Sequence, residues 1–296
     1  SVTYGNGLFV AVGEGSAILT SSDGTTWTQR TSGGNSLSSV AYGNGTFVAV
    51  GYSGTILTST DGASWTARTS GGNSLSSVAY GNGTFVAVGE GGAILTSTDG
   101  VTWTQRASPT SNYLSSVTYG NGTFVAVGGS YSSGTILTST DGVNWTLRNS
   151  GTSSWLQGVT YGNGTFVAVG WNGAILTSTD GVSWTARTSG TYYSLNAVTY
   201  GNNIFVAVGY SGTILTSTDG VSWTARTSGT YYSLNAVTYG NNIFVAVGYS
   251  GTILTSTDGV NWTQRTSPTR DSLYGVTYGN GTFVAVGEGG AILTSP

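Results

Sequence analysis

A repeat of about 39 residues runs through the whole chain. The triplet Tyr-Gly-Asn occurs eight times, and the spacings between successive tyrosines are 38, 38, 39, 42, 39, 39 and 39 residues. Residues 181–221 recur without change at 220–260. A period of this length is typical of architectures in which one supersecondary unit is repeated and neighbouring units bury each other's apolar faces.

Each repeat is predicted to contain four short strands. In the third repeat these are residues 75–80, 84–88, 93–96 and 103–106. Asn82-Gly83 joins the first two, and Asn-Gly between apolar runs favours a type I′ hairpin turn, since both central residues need positive φ. Asn203 and Asn242 replace the Gly in two repeats, and Asn also tolerates that conformation. Four strands per roughly 40 residues, with no helical period, indicate a propeller blade.

The sequence therefore predicts an all-β fold: a β-propeller of four-stranded antiparallel blades. Residues 1–296 form a single domain of seven full repeats and a final three-strand repeat at 278–296. We predict eight blades, with the last lacking its outer strand. A seven-bladed ring with a surplus three-strand unit is the alternative. An unpaired strand edge can pair with another chain. The strand 292–295 is therefore a candidate for self-association, or for pairing with a fourth strand that this sequence does not include.

The turn between the third and fourth strands carries a second motif, Ser-x-Asp-Gly-x-x-Trp, for example at 59–65. This motif resembles the Asp-box, or BNR repeat, of sialidase-like and photosystem II assembly-factor-like propellers, with one residue fewer between Asp and Gly. The resemblance implies a propeller fold. It does not extend to the catalytic residues of sialidases, because seven of the eight arginines occupy one equivalent fourth-strand position and only Arg270 does not. We interpret the motif residues as structural: Asp23, Trp27, Asp61, Trp65, Asp99, Trp103, Asp141, Trp145, Asp180, Trp184, Asp219, Trp223, Asp258 and Trp262.

Composition narrows the functional classes. The chain has no His, Cys, Met or Lys, which removes His-based acid/base chemistry, thiol nucleophiles and the common zinc sites. Equivalent aspartates, one per blade, provide neither a carboxylate pair with unequal environments nor the six to eight oxygens of a calcium site. We therefore predict no enzyme activity, no cofactor and no metal. A net charge of −3 argues against nucleic acid, and no apolar run is long enough for membrane insertion.

Variation between repeats is concentrated in the loops at the opposite end of the blade. The turns between the second and third strands and the connections between blades vary, and they include Tyr113, Tyr131 and Tyr274. Binding residues usually lie on such loops. The predicted ligand-binding residues are Tyr52, Trp155, Trp171, Tyr192, Tyr193, Tyr210, Tyr231, Tyr232 and Tyr249.

Exposed aromatic rings beside Asn, Ser and Thr suit sugars and also protein or peptide ligands. The sequence thus predicts a binding module that recognises glycans or other surface ligands at several sites, which favours a secreted or cell-surface location. A structural repeat scaffold without an evolved ligand, natural or engineered, is the alternative.

Overall fold

The computed structural model describes residues 1–69 and 71–295; Ser70 and Pro296, which the predicted domain includes, lie outside the described residues. The strands form eight antiparallel sheets, seven with four strands and the last with three. The chain is thus an all-β propeller of eight blades, as predicted, and the seven-bladed alternative is wrong. We number the blades 1 to 8 in chain order. The organisation as one domain stays a prediction.

Within each blade the strands follow one another in sequence order. The first strands are Val2–Gly5, Leu37–Gly43, Leu75–Gly81, Tyr113–Gly120, Leu156–Gly162, Leu195–Gly201, Leu234–Gly240 and Leu273–Gly279. The second strands are Leu8–Val12, Thr46–Gly51, Thr84–Gly89, Thr123–Ser130, Thr165–Gly170, Ile204–Gly209, Ile243–Gly248 and Thr282–Gly287. The third strands are Ile18–Ser21, Ile56–Ser59, Ile94–Ser97, Ser133–Ser139, Ile175–Ser178, Ile214–Ser217, Ile253–Ser256 and Ile292–Ser295. The fourth strands are Thr28–Arg30, Thr66–Arg68, Thr104–Gln105, Thr146–Arg148, Thr185–Arg187, Thr224–Arg226 and Thr263–Arg265.

A single turn of 3-10 helix follows the second strand in every blade except blade 4. These turns are Glu14–Ser16, Tyr52–Gly54, Glu90–Gly92, Trp171–Gly173, Tyr210–Gly212, Tyr249–Gly251 and Glu288–Gly290. In blade 4 the second and third strands are longer and form a hairpin with its turn at Tyr131 and Ser132. This extension accounts for the one interval of 42 residues in the repeat.

The turns between the first and second strands have the predicted backbone conformation. Asn82 and Gly83 both have positive φ, 46° and 74°. Asn202 and Asn203, the all-Asn version of the turn, have φ of 47° and 60°. Asn thus adopts the left-handed region where Gly is absent.

The second strands share four consecutive apolar residues, Phe-Val-Ala-Val, because both of their faces are buried. Phe85 and Ala87 pack towards blade 2, in the same cluster as Val48. Val86 and Val88 point the other way and pack towards blade 4 with Phe124. A strand covered on both faces shows a continuous apolar run instead of alternation, which explains the recurrent sequence Phe-Val-Ala-Val.

The described residues group into two compact units. The first contains Ser1–Gly128 and Ile136–Leu147, and its core consists of apolar clusters between blades 1 and 2, 2 and 3, and 3 and 4. The second contains Gly129–Thr135 and residues 148–295, and its core consists of the corresponding clusters between blades 5 and 6, 6 and 7, and 7 and 8.

Candidate functional site

The antiparallel strand order gives each blade two different ends. At one end lie the Tyr-Gly-Asn turns and the Ser-x-Asp-Gly-x-x-Trp turns. At the other end lie the turns after the second strands and the connections between blades, which we call the variable loops. They are residues 13–17, 51–55, 89–93, 130–133, 170–174, 209–213, 248–252 and 287–291, with the connections 31–36, 71–74, 107–112, 149–155, 188–194, 227–233 and 266–272.

The motif turns are closed by hydrogen bonds among their own residues. In blade 2 the backbone N–H groups of Ala63 and Ser64 donate to Asp61 Oδ1 at 2.8 Å each, and the Ser59 hydroxyl donates to the same oxygen at 2.9 Å. Ser59 Oγ in turn accepts from the Gly62 N–H at 2.8 Å. The same pattern recurs in the other six motif turns. The carboxylate is thus engaged inside the turn that carries it.

These hydrogen bonds stabilise the ionised aspartates. The N–H groups of Ser64 and Ala63, followed by the Ser59 hydroxyl, lower the pKa of Asp61 to about 2. Equivalent donors lower the pKa of Asp99 and Asp180 to about 2 as well. The pKa values of the other four motif aspartates are also lowered, with backbone N–H groups as the leading cause: Asp23, Asp141, Asp219 and Asp258.

The motif tryptophan and the fourth-strand arginine are held within the blade in the same way. Trp65 lies before the fourth strand and not at its start, and its Nε1 donates to Gly62 O at 3.0 Å. Its ring lies 6.4 Å from that of Phe47 and packs against the apolar cluster between blades 1 and 2. Arg68 Nε donates to Thr58 Oγ1 at 2.7 Å.

The variable turn of blade 6 is fixed between two connections. In blade 6 the Tyr210 N–H donates to Ser194 O, in the connection that enters the blade, at 2.9 Å. On the other side, Gly212 lies so close to Thr230 and Ser228, in the connection that leaves the blade, that any Cβ would overlap the Thr230 carbonyl. This loop is therefore supported by main-chain contacts, which leave the Tyr210 side chain available for binding.

Most of the predicted ligand-binding residues are exposed. Tyr192 and Tyr231 are the most accessible, at 94% and 92%. Trp155 and Trp171 are half-buried. The other five expose between 44% and 59% of their surface: Tyr52, Tyr193, Tyr210, Tyr232 and Tyr249.

Two of the predicted residues form a three-ring cluster with Tyr131, a variable-loop residue outside the predicted set. The Trp155 and Trp171 rings lie 5.4 Å apart at an angle of 33°. The Tyr131 ring is 6.1 Å from Trp155 and 5.8 Å from Trp171. The backbone N–H of Trp171 donates to the backbone carbonyl oxygen of Trp155, which fixes the two backbones relative to each other. The longer interval at blade 4 was the only signal in the sequence that this loop differs from its equivalents.

A cavity of about 460 Å³ lies beside the variable loops of blade 6. Its polar lining includes the Arg226 side chain and the hydroxyl residues Ser228 and Thr230, and Tyr231 contributes an aromatic wall. Tyr231 is almost fully exposed, whereas Ser228 is buried and its hydroxyl donates to Thr230 O at 3.2 Å. Arg226 Nε donates to Thr216 Oγ1 at 2.7 Å. The ring and Arg226 thus border the same space. The preceding connection has the same sequence, with Arg187 and Tyr192 in the equivalent positions.

Within residues 1–69 and 71–295, no three His, Cys, Asp or Glu side chains are grouped so as to hold a metal ion. The same residues contain no helix of the length and apolarity needed to cross a membrane.

Neither a family model nor a curated protein sequence matches this chain. The chain is similar in structure to the computationally designed protein Ika8, with a TM-score of 0.79 and 12% identity, over 99% of this chain and 94% of Ika8. It is also similar to YCF48 from Cyanidioschyzon merolae, with a TM-score of 0.64 and 18% identity over 87% of this chain and 94% of that one. A structure of YCF48 bound to D1 peptide gives a TM-score of 0.67 and 19% identity, over 87% and 90%. At these identities the similarity shows the propeller fold alone.

Proposed function

We propose that this chain is a non-enzymatic, single-domain binding module that recognises glycans at several of its variable loops. The observation that carries the proposal is the position of Tyr231, a nearly fully exposed ring beside a polar cavity that Arg226, Ser228 and Thr230 line. A sugar presents an apolar C–H face and a rim of hydroxyl groups. The ring fits the first, and the guanidinium of Arg226 fits the second.

The repeat supports several sites on one chain. Residues 181–221 and 220–260 are identical, so Tyr192 and Tyr231 have the same local sequence around them. Weak sites that bind together to a repeated ligand gain affinity through a high effective concentration. A multivalent glycan would thus bind far more tightly than its monosaccharide.

The motif turns fit a structural Asp-box-like role and do not suit catalysis. General acid catalysis needs a group whose pKa is close to the working pH, whereas the pKa of Asp61 is lowered to about 2. The seven motif aspartates also have nearly the same surroundings, with one further amide donor at Asp141 and Asp258, so no acid and base with separated pKa values can be assigned among them.

A peptide ligand is the second candidate. It is favoured by the YCF48 structure that contains a D1 peptide and by the three-ring cluster of Tyr131, Trp155 and Trp171, because Tyr and Trp are common anchors at protein interfaces. A scaffold without a ligand is the remaining alternative. The similarity to the designed protein Ika8 makes that alternative worth testing directly.

Calorimetric titration with a panel of monosaccharides and oligosaccharides tests the proposal. We expect saturable binding at more than one site per chain, and Tyr231→Ala should remove one site from the measured stoichiometry. Tyr231→Phe should keep that site, because it retains the ring. Val221→Ala is the matched control, since Val221 is exposed in the motif turn at the other end of the same blade.

Two results would overturn the glycan proposal. One is the absence of binding heat across the panel with folded protein. The other is binding that Tyr192→Ala and Tyr231→Ala leave unchanged in both stoichiometry and affinity. Binding of a peptide in place of any sugar would support the second candidate.

A further inference from the structure

The cavity beside the variable loops of blade 6 has one positive charge in its described lining and no negative charge. That charge belongs to Arg226, which is half-buried. In the part of the chain that the structure describes, Arg226 makes a single hydrogen bond, from its Nε to Thr216 Oγ1 at 2.7 Å. The N–H donors of its two Nη groups therefore remain for a ligand.

The hydrogen bond to Thr216 holds the Arg226 side chain against its own blade. Thr216 belongs to the third strand and is 3% exposed, and Arg226 ends the fourth strand, opposite Ile214. A guanidinium that is already ordered loses less conformational entropy when it binds a ligand. Its planar Nη groups present two parallel N–H donors, the arrangement that pairs with both oxygens of a carboxylate.

The acidic residues of the chain belong to other loops. The variable loops of blades 5 and 6 contain no Asp or Glu. Asp180 and Asp219 of these blades lie in the motif turns, at the other end of the strands. The acidic residues outside the motif turns belong to the variable loops of blades 1, 3 and 8: Glu14, Glu90, Asp271 and Glu288. An unbalanced cation beside a cavity raises the local concentration of anionic ligands.

Blades 5 and 6 share a combination of arginine and tyrosine that the other repeats do not have. Tyr231 follows the fourth-strand Arg226 by five residues, and Tyr192 follows Arg187 in the same way. Arg187 Nε also donates to the equivalent threonine, Thr177 Oγ1, at 2.8 Å. In blades 1, 2, 3, 4 and 7 the position of the tyrosine is occupied by Asn35, Asn73, Ser111, Ser153 and Arg270.

We infer that the cavity of blade 6 and the equivalent position of blade 5 bind acidic sugars, whose carboxylate pairs with Arg226 or Arg187 while the ring of Tyr231 or Tyr192 covers the apolar C–H face. The inference rests on the proposed function and narrows its ligand class from glycans in general to those that contain uronic or sialic acids. Hydrogen bonds between a guanidinium and a carboxylate are about twice as strong as those between neutral groups. The carboxylate therefore distinguishes an acidic sugar from its neutral counterpart.

Matched pairs of sugars test the inference by calorimetric titration: methyl glucuronide with methyl glucoside, and methyl galacturonide with methyl galactoside. Within each pair the sugars differ only at the exocyclic carbon, which is a carboxylate in one and a hydroxymethyl group in the other. We expect the acidic member of at least one pair to bind about tenfold more tightly than the neutral member. Raising the NaCl concentration from about 50 mM to about 500 mM should weaken binding of the acidic sugar and leave the neutral sugar unaffected.

Substitution of both arginines tests which groups the carboxylate meets. Arg187→Gln combined with Arg226→Gln should abolish the preference for acidic sugars, because Gln keeps hydrogen-bond donors without the charge. The corresponding double Lys variant should keep part of the preference, since it retains the charge without the planar fork. Arg106→Gln is the matched control: Arg106 Nε donates to Thr96 Oγ1 at 2.7 Å, so the same structural hydrogen bond is lost, but Ser111 stands in place of the tyrosine. The control should keep the full preference.

Equal affinity for the acidic and neutral members of both pairs would overturn the inference and leave the proposed function intact. A preference for acidic sugars that the double Gln variant retains would also overturn it, because the carboxylate would then pair elsewhere. The same holds for a preference that Arg106→Gln removes as well. If no sugar of either kind bound the folded protein, the proposed function itself would fail, and the inference with it.

Discussion

The ring of Tyr80 lies directly against the backbone of Gly43 in the preceding blade, so closely that a Cβ atom on Gly43 would overlap the ring. The same relationship joins Gly5 to Tyr42, Gly81 to Tyr119, Gly162 to Tyr200, Gly201 to Tyr239 and Gly240 to Tyr278. The Tyr and Gly of the Tyr-Gly-Asn motif therefore act on different neighbours. The Gly receives the Tyr of the following blade, and the motif links consecutive blades within each unit.

Gly43→Ala should lower the free energy of unfolding by about 1–3 kcal/mol, because the added methyl forces the Tyr80 ring out of its position. Gly33→Ala is the matched control, since a Cβ at Gly33 meets no atom within 4 Å. Urea denaturation of both variants measures the difference. Equal stability of the two variants would show that the ring can move at little cost.

Much of the fold follows from short-range signals in the sequence. Asn82-Gly83 specifies its hairpin turn because both residues must have positive φ, and both do. The unbroken apolar run of Phe85 to Val88 indicates a strand buried on both faces, and those residues do face two different blades. Blade number followed from counting strands, since each repeat supplies one sheet.

Contacts between repeats are harder to read from the sequence. The contact between Gly43 and Tyr80 joins residues one repeat apart, and no local pattern distinguishes it from a simple turn glycine. The three-ring cluster depends on the longer hairpin of blade 4, which brings Tyr131 to the connection and turn of blade 5. The polar cavity beside Tyr231 also needs three separate segments to meet. Such sites depend on packing geometry that spacing alone does not specify.

Trp145 should contribute more to stability than any other residue of its turn. It is 9% exposed, and its Nε1 donates to Gly142 O at 2.9 Å. Trp145→Ala should cost about 3–5 kcal/mol, because it removes a large packed side chain. Val143→Ala, at an exposed position two residues earlier, should stay within about 0.5 kcal/mol of the parent protein. Thermal and urea unfolding of the two variants test this contrast.

The contact between Tyr131 and Trp171 should be measurable as a coupling free energy. Their ring centroids are 5.8 Å apart, and aromatic pairs at such distances are worth about 0.5–1.5 kcal/mol beyond the area they bury. A double-mutant cycle with Tyr131→Ala and Trp171→Ala, followed by urea unfolding, gives this quantity. Strictly additive effects would mean that the rings are neighbours without a net interaction, and that the cluster is not a preformed surface.

Stability should fall as the pH decreases from about 4 to about 2. An unfolded Asp has a pKa of about 3.9, whereas the pKa of folded Asp61, Asp99 and Asp180 is lowered to about 2. The folded state therefore holds its carboxylates ionised where the unfolded chain binds protons. This contribution is fully present above the unfolded pKa, and it is lost as the pH falls through the folded pKa. Asp61→Asn should be less stable at neutral pH and should lose less on acidification.

Urea unfolding at a series of pH values between 2 and 7 measures how the free energy of unfolding depends on pH. Thr60→Ala is the control, because Thr60 is the exposed neighbour of Asp61 in the same turn. The control should keep the full acid dependence of the parent protein. If Asp61→Asn also kept it, the Asp61 carboxylate would not be held by Ala63 and Ser64 in solution, and the acid loss would have to come from other groups.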